Sequence, residues 1–141
     1  KNVKVKLSDV SVKDWKTVGM PAEAANAIDG DPQTVWTAKA LTPLVVDMGK
    51  ASEVIGFSYA PAQKEDLTGT IYKYNFYVSI DGKNWTKCDA SGEFSNIMHN
   101  PVPYFVRFGK KYPARYFKLE PAAEINNKPA TTVGEVGILL K

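Results

Sequence analysis

Short alternating segments, broken by turn residues every ~10 positions, constrain this chain more than any other feature. Glu53–Tyr59, Tyr72–Ile80, Val102–Phe108, Arg115–Leu119 and Val133–Leu139 are rich in aromatic or β-branched residues and bounded by Gly, Pro, Asp or Asn. Successive side chains of a strand point to opposite faces, so such segments bury one face and leave the other in water. Asp81-Gly82, between Ile80 and Trp85, is a hairpin turn signal. No segment sustains a helical period with caps at both ends. The best helical candidate, Ala22–Ala27, allows at most two turns. The pattern predicts an all-β, antiparallel β-sandwich. Residues 1–141 read as a single domain, without internal repeat, low-complexity tract or linker.

A chain of 141 residues can bury a core without help from disulfides. Its single cysteine, Cys88, has no internal partner and reads as a half-buried, inert thiol. The net charge of +3 is spread as mixed Lys and Asp/Glu. No run of like charge tracks a phosphate backbone, and nucleic acid is not expected as a partner. No apolar run approaches the ~18 residues of a membrane-spanning helix. The chain begins Lys1-Asn2, without an initiator Met or a signal peptide. It is therefore expected to be a processed product or an excised fragment.

Hydrolytic chemistry finds little support. His99 is the only histidine, Cys88 the only thiol, and no Gly-x-Ser-x-Gly elbow is present. The acids fall mostly in turns or beside lysines, as in Lys64-Glu65-Asp66, where they read as solvated charge. Binding remains. β-Sandwiches recognise sugars with aromatics and planar polar side chains on loops over a rigid scaffold. Loop candidates of that type are Trp15, Lys39, Gln63, Asn96, His99, Asn100, Tyr104, Asn126 and Asn127.

The stretch Asn26–Thr37 carries a second kind of chemistry. Asp29 and Asp31 flank a turn-making Gly30, and the Thr34 hydroxyl follows three residues on. Calcium takes six to eight oxygens at flexible angles, and a short polar loop can supply them. The same residues can form an ordinary Asp-Gly turn whose carboxylates cap backbone amides. On the loop alone both readings stand. Trp36 would fasten it to the core.

The order of these motifs resembles a known family. Ala27-Ile28-Asp29-Gly30-Asp31, Thr34 and Trp36 are followed by Leu44–Gly49, Ile55–Pro61 and Tyr74–Trp85, then by Ala114–Leu119 and Gly134–Gly137. From the neighbourhood of Trp15 to the C-terminus the chain is similar to discoidin domains, also called coagulation factor 5/8 type C domains. Within them it resembles the family 32 carbohydrate-binding modules. The resemblance implies an eight-stranded, jelly-roll-like β-sandwich of the galactose-binding-domain type with a structural calcium ion. Carried over, Asp29 gives a side-chain oxygen and Thr34 its hydroxyl and carbonyl. Asn26 and Asp31 give backbone carbonyls, Glu135 a carboxylate oxygen and Gly134 a carbonyl. Glu135 adds an argument of its own, because an unpaired acid in an apolar strand is costly and a cation removes that cost. With Glu135 included, the metal reading is preferred to the plain turn.

The resemblance further implies a non-catalytic module that binds glycan, terminal sugars included, through shallow loops near Lys39, Gln63, Asn96, His99 and Asn126. Gly92–Pro101 looks like domains appended to bacterial exo-glycosidases, α-L-fucosidases especially. The implied setting is a secreted, periplasmic or cell-surface enzyme with a covalently linked catalytic domain. The sequence departs from galactose-binding members in three places. Lys39–Pro43 lacks a His, Ala62-Gln63 stands where an Arg is common, and Glu124–Pro129 lacks an aromatic. Those departures support the alternative of a structural accessory domain that packs on a catalytic domain without binding sugar. Membrane-lipid binding needs apolar spikes on the loops, for which only Leu41 and Ile125 offer themselves, and it ranks last.

Overall fold

The computed structural model describes residues 5–141. Its strands are β1 (Lys16–Thr17), β2 (Trp36–Ala38), β3 (Leu44–Ala60), β4 (Ile71–Ser79), β5 (Thr86–Lys87), β6 (Tyr104–Glu124), β7 (Thr131–Val133) and β8 (Glu135–Leu139). All strand pairs are antiparallel, and the architecture is the jelly-roll sandwich. The short Ala22–Ala27 helix forms as a 3-10 helix, as its length requires.

β3 and β6 are the spine. They pair in three stretches separated by register breaks between Asp47 and Ser52 and between Val54 and Gly56. Each break bends the strand, so the first half of β3 pairs with β1 and its second half with β8. The C-terminal part of β6 pairs with β4, and β4 with β5. β2 and β7 form a separate ribbon.

Inward positions of the central strands are aromatic. Phe57 stacks on Phe76 with centroids 4.1 Å apart, and Phe94 stacks on Tyr59 at 4.9 Å and Tyr74 at 4.5 Å. Such pairs add about 0.5–1.5 kcal/mol each beyond the area they bury. Trp36 is buried directly behind the Asp-Gly-Asp loop, as expected.

Several expectations are corrected. Val102–Phe108 and Arg115–Leu119 belong to one long strand that begins at Tyr104, after Pro103. Val133–Leu139 is split at Gly134, and every residue of it is buried, so it shows no inside–outside alternation. Trp15 is no loop aromatic: it is buried edge-on against Phe117 at 5.4 Å. Ile125 packs against the core and is no spike, whereas Leu41 is exposed.

Candidate functional site

The Asp-Gly-Asp loop leaves the 3-10 helix at Ile28 and reverses at Gly30, whose φ of 81° suits glycine. The reversal aims the Gly30 amide at the last strand, where it donates to Glu135 Oε2 at 2.9 Å. Asp31 N donates to Asp29 Oδ1 and Gln33 N to Asp31 Oδ1, both at 2.9 Å. One side-chain oxygen of each aspartate therefore caps a backbone amide, as the turn reading required.

The remaining oxygens are not explained by a turn. The Thr34 hydroxyl lies 2.9 Å from Asp31 O and 3.4 Å from Asn26 O, and in close contact with Asp29 Oδ2. One hydroxyl has one proton to donate, so it can serve only one of these three acceptors. Glu135 is only 2% exposed, and its Oε1 is buried with no hydrogen-bond partner. Burial pushes the Glu135 carboxyl up to about 8, and the negative Asp29 and Asp31 add to the rise while the Gly30 amide opposes it.

Crowded acceptors beside an orphaned carboxylate oxygen are the arrangement a cation would resolve. The fit is to a hard ion. Among the described residues no cluster of three or more His, Cys, Asp or Glu side chains could hold a metal. A site here would rest on two carboxylates, one hydroxyl and backbone carbonyls, all oxygen, which suits calcium rather than zinc. Asn26, Asp29, Asp31, Thr34 and Glu135 are thus brought together. Gly134 is buried next to Glu135 and anchored by its amide to Ala60 O at 2.9 Å, and no described contact joins its carbonyl to the loop. A groove of about 940 Å³ runs past Glu135 between Val5–Val12, Gly30–Gln33 and Gln63, giving the buried carboxylate a path to solvent.

The proposed sugar residues lie on loops tied together at one end of the sandwich. Gln63 Nε2 donates to Pro101 O at 3.1 Å, joining its loop to the one that carries Asn96 and His99. Tyr104 closes that second loop, its hydroxyl donating to Ser95 O at 2.7 Å. Lys39 follows β2, and the Thr131 hydroxyl donates to the neighbouring Ala40 O at 2.8 Å. Lys39, Gln63, Asn96, His99 and Asn126 are all exposed.

Glu124 organises this end and was missed in the sequence. It is buried, and its carboxylate accepts from the amides of Gly69 at 2.8 Å, Asn126 at 2.6 Å and Lys128 at 2.8 Å. Its one sequence signal is the apolar stretch it ends, Pro121-Ala122-Ala123, and the Asn126-Asn127 turn on its other side masks that signal. Cys88 is more deeply buried than expected, and burial pushes its thiol up to about 12.

The F5/8 type C domain model matches residues 3–136. Galactose oxidase of Gibberella zeae is 29% identical over 93% of the chain, which spans 20% of that enzyme. A structure of a candidate α-L-fucosidase from Bacteroides ovatus is 33% identical with a TM-score of 0.73, covering 99% of this chain and 20% of that one. A family 32 carbohydrate-binding module of Clostridium perfringens, solved with GalNAc-β-1,3-galactose, has a TM-score of 0.78 at 22% identity, covering 92% of this chain and 98% of that one. The chain thus spans about a fifth of the first two proteins.

Proposed function

The chain belongs to the F5/8 type C domain family, and from that premise we propose that it is a non-catalytic carbohydrate-binding module with a structural calcium ion. It would tether or orient a covalently linked glycoside hydrolase, of α-L-fucosidase type, outside the cell. The observation that carries the metal part of this reading is the partnerless, buried Glu135 Oε1 facing a loop of crowded acceptors. Asp29 and Glu135 would hold the ion through their carboxylates, Thr34 through its hydroxyl and Asn26 and Asp31 through their carbonyls. Calcium would then supply charge neutralisation alone, pinning the first loop to the last strand.

The sugar part rests on the exposed polar loops gathered at one end, where Lys39, Gln63, Asn96, His99 and Asn126 can meet hydroxyls of a terminal sugar. Shallow contacts of this kind are weak singly and gain from linkage to a catalytic domain through effective concentration.

One observation favours the structural accessory reading. Met98, Val102 and Phe105, exposed by 39%, 44% and 39%, stand around the same loops and offer an apolar surface to a neighbouring domain. A glycan array with the folded domain in calcium buffer separates the two. Binding to galactosylated or fucosylated termini, weakened in Gln63→Ala, supports the module. A silent array moves the assignment to the accessory role.

A further inference from the structure

Tyr77 on β4, Lys118 on β6 and Trp85, at the end of the β4–β5 connection, form a polar–aromatic cluster away from the candidate sugar loops. Tyr77 on β4 and Lys118 on β6 are directly paired across the sheet. The Lys118 ammonium lies over both rings, 4.8 Å from the Tyr77 centroid and 4.6 Å from that of Trp85. Trp85 is the one tryptophan of three left outside the core, Trp15 and Trp36 being buried.

The polar surroundings are already oriented. Glu120 Oε1 accepts from Asn75 Nδ2 at 3.0 Å and from the Tyr77 hydroxyl at 3.3 Å. Lys87 stands opposite Tyr77 on β5. Further along the face, Arg115 is neutralised by Asp47 at 2.9 Å. Lys118 has no such carboxylate within salt-bridge distance among the described residues. The aromatic rings hold the ammonium in place without cancelling its charge.

We infer that this face is a second glycan site, selective for a pyranose that carries a carboxylate. Lys118, with Lys87 beside it, would meet the carboxylate. Trp85, through the ring face that Lys118 leaves uncovered, would pack on the sugar's C–H face, with the Tyr77 ring edge beside it, and Asn75 and Glu120 would take hydroxyls. The site is distinct from the loop end. Tyr77 lies six residues along β4 from Ile71, where the loops begin, about 20 Å at ~3.3 Å per residue. Tyr77, Lys118, Asn75 and Glu120 stand on strands β4 and β6, and Trp85 directly precedes β5, so most of its side chains need little ordering on binding.

The test is tryptophan fluorescence of the calcium-loaded domain titrated with trigalacturonic acid and, in parallel, with neutral galactotriose. Trigalacturonate is expected to change the Trp85 signal saturably, and more weakly as salt rises from about 20 to about 200 mM. Galactotriose is expected to leave that signal unchanged even if it binds at the loops, so the two sites fail or succeed separately. Lys118→Gln should lose about fivefold or more in affinity for the acid, while Lys118→Arg, which keeps the charge and the stacking, should retain most of it. Melting curves confirm that both variants are folded. No response to trigalacturonate, an equal response to both sugars, or full affinity in a folded Lys118→Gln variant would each overturn the inference.

Discussion

Replacing Glu135 by Gln should stabilise the domain without calcium and destabilise it with calcium. In the metal-free fold the Glu135 carboxyl is held up to about 8 against an ordinary 4.5, chiefly by burial. A group raised in this way contributes fully below pH 4.5, and that contribution is lost as pH climbs to about 8. At pH 7 the folded chain must keep a proton that the unfolded chain has released. The gap of 2.5 pH units between 7 and 4.5, at 1.36 kcal/mol per unit, costs about 3 kcal/mol. The amide of the Glu135→Gln variant is neutral at every pH and would escape this cost. For a domain of this size the difference amounts to roughly 6–12 °C in Tm at pH 7, shrinking toward zero near pH 4.5.

Calcium reverses the order. It binds the ionised carboxylate and stabilises the fold by about 2.7 kcal/mol at a hundredfold excess over Kd, a gain the amide forfeits. Differential scanning fluorimetry of protein stripped on a chelating resin, run from pH 4.5 to 8.5 with and without calcium, reads both effects. Parallel pH profiles for wild type and Glu135→Gln, or the same calcium response in both, would refute the reasoning.

Asp29→Ala should abolish the calcium-dependent shift in Tm while leaving the domain folded, measured in the same assay. Glu124→Ala strips three backbone amides of their acceptor and should cost about 3 kcal/mol or more in urea unfolding, with Glu124→Gln costing less. Cys88, whose thiol burial pushes up to about 12, should not react with an aromatic disulfide reagent at pH 8 until denaturant is added.

The all-β architecture could be read from the sequence because alternation and turn residues are local signals. Tyr74, Phe76 and Val78 point inward as their spacing requires. The continuity of β6 was not readable, because Gly109 and Pro113 look like breaks. Pairing with β3 holds the strand together across them through shifts in register. Glu135 stood out as an acid amid apolar neighbours. Glu124 did not, since the Asn126-Asn127 turn beside it makes the carboxylate look solvated. Trp15 was misplaced for a tertiary reason: its partner, Phe117, comes from a distant strand, and a lone tryptophan between charged residues carries no local sign of that contact.

The most direct test of the carbohydrate-binding assignment is backbone NMR of the calcium-loaded domain titrated with neutral galactosides, N-acetylgalactosaminides and fucosides. NMR registers binding too weak for an array. The account predicts saturable shifts for at least one sugar, concentrated at residues 39–42, 61–70, 95–103 and 125–130. Shifts absent for every sugar, or confined to the opposite end of the sandwich, would contradict it.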